Sequence, residues 1–401
     1  PDAPSLRVYR RPDGKIGVRN EIWIIPTVGC VNDIARTLAR WGEEELCRAK
    51  AGDPEEGGLD GIYAWTHPYG CSQLGEDHEA TRRILRGLAL HPNAGAVLVL
   101  SLGCENNSLQ SFKESLGPGA DDAGRIAFLC CQDCEDEIAE GKRLLGRLAA
   151  QAARARREEA GPEGLILGLK CGGSDGLSGI TANALVGRVS DAFCGWGAGA
   201  ILTEVPEMFG AEQILLDRCE SRGLFDQTLA MIEDFKDYYR SQGQRIYENP
   251  SPGNKAGGIS TLEEKSCGCV QKGGRSPVRG LCRYGERAGG PGLSILEGPG
   301  NDMVSVTALA AAGAQLILFT TGRGTPLGGP VPVVKIASNT ALARRKPRWV
   351  DFDAGRLLSE EADSVRADLL ALIGAVASGR KTRSEEQGCR EIALFKNGVT
   401  L

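Results

Sequence analysis

The chain has 401 residues, 41% of them hydrophobic and 25% charged, with a net charge of −5 and a pI near 5.6. A chain of that length holds two domains or three and buries an ordinary core. The acidic balance speaks against nucleic acid or an anionic membrane as partner, because both demand a basic surface, and no apolar run reaches the roughly 18 residues of a membrane span. No signal peptide is visible. The sequence opens on Pro1 rather than methionine, and the expectation is that an N-terminal stretch has been removed. With no export signal, 14 cysteines in a chain of this size read as thiols or metal ligands rather than disulfides, which points to the cytoplasm.

Residues 1–20 are polar and turn-rich, with a turn at Asp13-Gly14. Residues 21–28 (EIWIIPTV) read as a strand that ends at Gly29, Cys30 and Asn32, and an amphipathic helix follows over 33–48. A strand at 61–66 leads into HPYGCSQLGEDH (67–78) and a helix over 76–90. Residues 94–102 (AGAVLVLSL) form the clearest strand, which stops at Gly103, Cys104 and Glu105. A strand at 125–129 and a long helix over 133–159 come next. Residues 165–169 are a short apolar run of the kind a buried parallel strand needs. It ends in Lys170, Cys171, Gly172 and Gly173. Ser174, Asp175 and Ser178 follow, and Ser178 or Thr181 caps a helix over 181–197. A strand at 200–203 delivers Glu204 and Glu207, and 225–241 is an amphipathic helix.

The segment NPSPGNKAGG (249–258) reads both as an active-site loop and as the boundary between an N-terminal domain, 1–248, and a C-terminal domain, 249–401. The second set holds a strand at 315–319 leading into TTGRGTPLGG (320–329), a strand at 331–337, a helix over 360–378 and a strand at 391–395. Strands alternating with helices predict an α/β fold of two domains with mostly parallel sheets in Rossmann-like three-layer architecture.

Several of these strands end in chemically loaded turns: Cys30, His67 with Cys71, Cys104 with Glu105, Lys170 with Cys171, Glu204 with Glu207, and Arg323. Ligands of open parallel sheets bind just past the carboxyl ends of strands, so this recurrence implies a cleft. Its soft and borderline ligands suit iron or zinc better than magnesium. His67 is one of three histidines and lies four residues before Cys71; the competing reading is a hydrogen-bonded loop histidine. The bland reading of any single cysteine is a small buried hydrophobe. Cys71, Cys104 and Cys171 stand out because each ends a strand beside a glycine, whereas Cys267 and Cys269 make no recognised metal knuckle. TTGRGTP lacks the full phosphate-loop pattern, so Arg323 reads as a carboxylate clamp, its guanidinium fork matching two oxygens. Lys255 and Lys272 lie in glycine-rich loops, where a lysine drawn into a cleft serves as a base or an anion anchor.

Seven longer motifs, IGVRNEIWIIPTVGCVN, THPYGCSQLGEDH, HPNAGAVLVLSLGCENN, CGGSDGLSGITAN, LTEVPEMFGAEQ, ENPSPGNKAGGISTLEEKS and FTTGRGTP, resemble the altronate/galactarate dehydratase family from residue 8 to 401. SQLGEDH, ENPSPGNKAGG and EVPEMFGAEQ resemble its altronate branch. The resemblance implies dehydration of D-altronate to 2-dehydro-3-deoxy-D-gluconate in hexuronate catabolism, with ferrous iron (Fe2+), or manganese (Mn2+) in its place. A [4Fe-4S] cluster on Cys71, Cys104 and Cys171 is the alternative cofactor. Galactarate dehydration, release of sulfite from sulfolactate, and non-catalytic binding of a sugar acid are the alternative functions. The family usually carries a small N-terminal domain of the SAF type, expected here in cis or as a separate subunit because these residues do not include it, and a homo-oligomer is expected. Ala184 stands where the family often has proline, and Cys267 is an extra thiol. The resulting expectation gives the metal to His67, Cys71, Cys104, Glu105 and Cys171. Acid–base work falls to His67, Lys255, Lys170 or Asp175. The sugar acid is held by Arg323, Gly172, Gly173, Ser174, Asn254, Thr321 and Lys272.

Overall fold

The computed structural model describes residues 3–47, 58–118, 124–247 and 249–399. The chain forms two units: Leu6–Ala160 with Ala377–Arg380 and Glu391–Leu401, and Pro1–Ser5 with Gly161–Val376 and Lys381–Arg390. The expected boundary at 248/249 therefore falls inside the second unit, where strands from both sides of it share one sheet.

The first unit carries β1 (Leu6–Arg10), β2 (Ile16–Gly17), β3 (Glu21–Pro26), β4 (Gly61–Ala64), β5 (Ala94–Ser101), β6 (Ile126–Cys130) and β7 (Glu158–Ala160), with helices α1 (Asn32–Gly42), α2 (Gly75–Ala89), α3 (Leu109–Leu116) and α4 (Glu137–Ala152). Four strands form a parallel sheet in the order β4-β3-β5-β6. Successive side chains of a strand point to opposite faces. Ile22, Ile24, Leu98 and Leu100 join Leu38 of α1 and Leu145 and Leu148 of α4 in one buried cluster. Trp23, Ile25, Val97 and Val99, one residue out of phase, are buried as well, and α2 packs against β3 and β5. This is the expected three-layer arrangement. β1, β2 and β7 form a separate antiparallel sheet. The helix expected over 133–159 is shorter than its pattern because Arg157 leaves it: the buried guanidinium donates to the carbonyls of Arg7 (2.9 Å), Val18 (3.1 Å) and Ala377 (3.3 Å).

The second unit carries β8 (Ile166–Cys171), β9 (Gly199–Leu202), β10 (Val278–Cys282), β11 (Gly292–Leu296), β12 (Leu316–Thr321), β13 (Val333–Ala337) and β14 (Phe352–Asp353). Its helices are α5 (Ala182–Gly195), α6 (Glu212–Leu216), α7 (Arg222–Ser241), α8 (Pro252–Ala256), α9 (Leu262–Val270), α10 (Asp302–Ala311), α11 (Thr340–Arg345), α12 (Ala362–Ala377) and α13 (Arg383–Glu386). All seven strands are parallel, in the order β10-β11-β9-β8-β12-β13-β14. Every residue of β9, β11, β12 and β13 is buried, as parallel strands covered on both faces require. The strand expected at 391–395 is irregular chain that buries Ile392 and Leu394 without joining a sheet. No helix among the described residues is long and apolar enough to cross a membrane.

Candidate active site

β8 lies at the centre of the seven-stranded sheet, between β9 and β12. The chain builds outward from β8 through β9 on one side and returns to place β12 on the other, so the strand order reverses between β8 and β12. That reversal is where open parallel sheets bind ligands. Cys171 stands opposite Thr320 at its mouth. Gly172 permits a close approach: a Cβ there would meet Asp302 Oδ2 at 2.5 Å and Phe319 Cζ at 2.6 Å. Gly173 turns the chain with φ 61°, and its carbonyl accepts from the amides of Gly322 (3.0 Å) and Arg323 (2.9 Å).

An ionic cluster is buried at this point. The ammonium of Lys170, fully buried, meets Glu204 and lies 2.8 Å from Asp302 Oδ1. Burial would strip its proton, but the carboxylates of Glu204 and Asp302 hold it above the ordinary lysine range. Glu204 follows β9 with φ 73°, a left-handed conformation that non-glycine residues seldom adopt and that clusters at functional sites. It accepts from the amide of Cys171 at 3.2 Å. Burial and the Cys171 sulfur push its carboxyl up to about 8, against the pull of Lys170.

Cys171 Sγ lies 3.4 Å from Cys269 Sγ and 2.9 Å from Lys272 Nζ. The bond from Cys269, and then the Lys272 ammonium, outweigh burial and hold Cys171 well below the usual thiol range. The same bond, with burial, pushes Cys269 up. Cys269 Sγ is also 3.3 Å from Glu207 Oε2, while Glu207 pairs through Oε1 with Lys265. Burial opposes ionisation of Glu207, but Lys265, Lys170 and Lys272 hold its carboxyl below the usual range. Beside the cluster opens a cleft of about 260 Å³, lined by Ser174, Asn183, Lys265, Cys269 and Gln271 among others. Ser174 Oγ is buried with no hydrogen-bond partner among the described residues, and an orphaned buried hydroxyl on a cleft wall is satisfied by a bound polar group.

The expected site residues fall into three sets. Lys170, Cys171 and Lys272 are in the cluster itself. Asp175, Asn254, Thr321 and Arg323 organise the loops around it. Asp175 accepts from Ser178 Oγ (2.8 Å), Ser338 Oγ (2.7 Å) and Asn339 Nδ2 (2.9 Å), so both its oxygens are engaged. Asn254 Nδ2 donates to Ser174 O at 3.0 Å, Thr321 Oγ1 accepts from Gly324 N at 2.9 Å, and the exposed Arg323 donates to Gly253 O at 3.2 Å. Lys255 is exposed on α8. His67, Cys71, Cys104 and Glu105 belong to the first unit. Cys71 and Cys104 are exposed thiols. Glu105 accepts from Thr27 Oγ1 (2.6 Å) and Gly103 N (2.7 Å). His67 is buried with both ring nitrogens engaged, Nε2 by Pro26 O (2.8 Å) and Nδ1 by Tyr69 N (3.2 Å). Among the described residues, the one set of three ligand atoms within 4.8 Å of one another is Cys171, Glu207 and Cys269.

The sequence reading gives no role to Lys265, Asp302, Glu204, Glu207 or Cys269. The pattern did hold a signal. Lys265, Cys269 and Lys272 are spaced i, i+4, i+7, one face of the helix that α9 begins. Glu204 and Glu207 are spaced i, i+3 across a one-turn 3-10 helix, Val205–Glu207, whose i and i+3 side chains eclipse.

Two family models match. Residues 163–400 match D-galactarate/Altronate dehydratase, C-terminal, and residues 8–153 match D-galactarate dehydratase/Altronate hydrolase, second domain. The chain belongs to the D-galactarate/altronate dehydratase family. The gap between the two matches contains the crossing from one unit to the other at Ala160/Gly161, while Ala377–Arg380 and residues 391–400 lie within the C-terminal match but belong to the first unit. Altronate dehydratase of Escherichia coli (strain K12) is 51% identical over 398 residues, covering 99% of this chain and 79% of that protein. Altronate dehydratase of Bacillus subtilis (strain 168) is 49% identical over 400 residues, covering 99% and 78%. The beta subunit of (2R)-sulfolactate sulfo-lyase from Chromohalobacter salexigens is 30% identical over 402 residues, covering 97% and 96%.

Proposed function

We propose that this chain is a hydro-lyase that converts D-altronate into 2-dehydro-3-deoxy-D-gluconate and water. The substrate rests on one observation, the 51% identity to altronate dehydratase across 99% of the chain. The reaction takes the proton from the carbon beside the carboxylate and the hydroxyl from the next carbon; the resulting enol becomes the 2-keto acid. Ferrous iron, with manganese as its substitute, supplies Lewis acidity toward the carboxylate and hydroxyl oxygens when bound. A single ion suits the paired thiols better than a [4Fe-4S] cluster. Cluster thiolates bind different irons and stand farther apart than the 3.4 Å between Cys171 and Cys269.

The chain's own groups bind and move protons. The Lys265 ammonium lines the cleft, placed to hold the substrate carboxylate or to protonate the departing hydroxyl, and Ser174 Oγ awaits a sugar hydroxyl. Arg323, Thr321, Asn254 and the amides of Gly172 and Gly173 shape the entrance. Lys255 is the candidate proton acceptor. It stands on α8, which is tied to the β8–α5 loop by Asn254 Nδ2 to Ser174 O and by Gly176 N to Gly257 O (2.9 Å). Among the described residues no cysteine is in a disulfide, which suits a reducing compartment, the cytoplasm. The SAF-type module acts in cis or as a separate subunit: the two altronate dehydratase relatives are covered to 79% and 78% of their own length, and the sulfo-lyase relative, a named subunit, to 96%.

The test is anaerobic turnover with ferrous iron on D-altronate, galactarate and (2R)-sulfolactate, with the SAF-type module supplied, reading the 2-keto-3-deoxy acid or sulfite. Preferential turnover of altronate is expected. Preference for another acid overturns the substrate, and no turnover of any of them overturns the hydro-lyase reading.

A further inference from the structure

We infer that Cys171, Cys269 and Glu207 bind a single divalent transition-metal ion at the edge of the cleft. The inference rests on the hydro-lyase reading only for what the ion does there; the binding itself stands on geometry.

The three donors come from distant parts of the chain: the end of β8, the turn after β9 and the last turn of α9. All three are buried and lie within 4.8 Å of one another. Two ligands about 2.3 Å from a tetrahedral ion stand roughly 3.8 Å apart. The observed Cys171–Cys269 and Cys269–Glu207 separations, 3.4 and 3.3 Å, need only a few tenths of an ångström of opening. Two sulfurs and one oxygen select iron, cobalt or zinc over magnesium or calcium.

The outer groups are those of a ligand shell held in place. Lys265 engages Glu207 through Oε1 and leaves Oε2 toward the thiols. Lys272 donates to Cys171 at 2.9 Å. Such outer partners orient metal ligands and tune affinity. Charge agrees. Lys170, Lys265 and Lys272 face the carboxylates of Glu204, Glu207 and Asp302 and the two sulfurs. Two sulfurs and three carboxyl groups thus meet three ammonium groups, an environment that accepts a further cation. Three protein ligands leave an open position, the arrangement of catalytic rather than structural ions, and Cys269 is on the cleft wall where a substrate oxygen could complete it.

The experiment is anaerobic titration of the reduced chain with cobalt(II) alone, read by absorption. Expected are near-ultraviolet sulfur-to-cobalt charge-transfer bands that saturate at one ion per chain. Cys171→Ser and Cys269→Ser should each remove at least half of that intensity. Glu207→Gln should keep the bands and weaken binding by about tenfold or more. Cys71→Ser and Cys104→Ser should leave bands and affinity as they are. Wild-type chain without the bands, bands indifferent to Cys171 and Cys269, or bands lost with Cys71 or Cys104 would each overturn the site. Should the two key variants not fold, Glu207→Gln decides: unchanged cobalt affinity in that variant overturns the site. Cobalt binding without altronate turnover would sink the proposed substrate and leave the metal site standing.

Discussion

His67 offers the sharpest test of how a histidine beside a cysteine should be read. In the folded chain its Nε2–H donates to Pro26 O at 2.8 Å and Nδ1 accepts from Tyr69 N at 3.2 Å, so the neutral ring is satisfied at both ends. Protonation would break the Tyr69 bond and bury a charge. Burial, opposed by the Pro26 bond, lowers the pKa from 6.5 to about 4. An unfolded imidazole takes its proton below about pH 6.5. Between 6.5 and about 4 the unfolded chain therefore binds more protons, and stability falls as pH falls through that window; below it both states are protonated and the loss is complete. At 1.36 kcal/mol per pKa unit the full effect is about 3 kcal/mol. Urea melts at several pH values, read by fluorescence to which Trp23, Trp41 and Trp65 of the same unit contribute, should show this slope in the wild type. They should show it flattened in His67→Gln, which keeps a donor for Pro26 but cannot titrate. Altronate turnover of that variant should stay within about tenfold of wild type. Parallel pH–stability curves, with turnover down by the roughly 10²–10⁴ that removal of a general base costs, would refute the packing role and return His67 to the chemistry.

Three further outcomes follow from the second unit. Lys265→Met leaves Glu207 charged and unpaired in a buried place, and should cost about 3–5 kcal/mol in a denaturant melt; adding Glu207→Leu should recover most of it, and a double variant no better than the single one would refute the pairing. Asp175→Ala removes the acceptor of three side-chain bonds and should cost about 3 kcal/mol, with Asp175→Asn losing half of that or less because it keeps an acceptor oxygen; equal losses would show that the charge, and not the acceptor geometry, ties the loops. Gly172→Ala sets a methyl against Asp302 and Phe319, so about 1–3 kcal/mol of overpacking is expected with turnover down more than tenfold, and an unperturbed variant would mean the approach is looser than described.

Much of this was legible because a parallel sheet advertises its ligand end. Apolar runs that stop at Lys170-Cys171-Gly172-Gly173 and at Thr320-Thr321-Gly322 fixed two strand ends, and both lie at the reversal of strand order. What the pattern could not carry was which ends meet. Cys71, Cys104 and Cys171 look alike in sequence, each a thiol beside a glycine past a strand, yet they are divided between two units. The turn-rich run at 249–258 imitates a linker by composition; only the fold shows Asn254 and Gly257 bonded back to the loop after β8. β10 and β11 escaped because VRGLC and GLSIL are five residues each and carry a glycine, which weakens any strand signal.

The residues that complete the site were written in a different period. Strand ends place a group by where the chain stops, so they are found by looking for chemistry after an apolar run. Lys265, Cys269 and Lys272 are placed by the turn of a helix, and they register only when spacings of four and three are read through the unpromising stretch KSCGCVQK. Each kind of signal locates one wall. The Cys171 sulfur accepts from Lys272, Cys269 is fixed between Cys171 and Glu207, and Glu207 is held by Lys265, so Cys171, Cys269 and Glu207 each depend on a partner from the other wall. A buried group of this charge density is tolerable only when both walls are present, which is why the strand-end residues alone could suggest a metal-binding cleft but not its ligands.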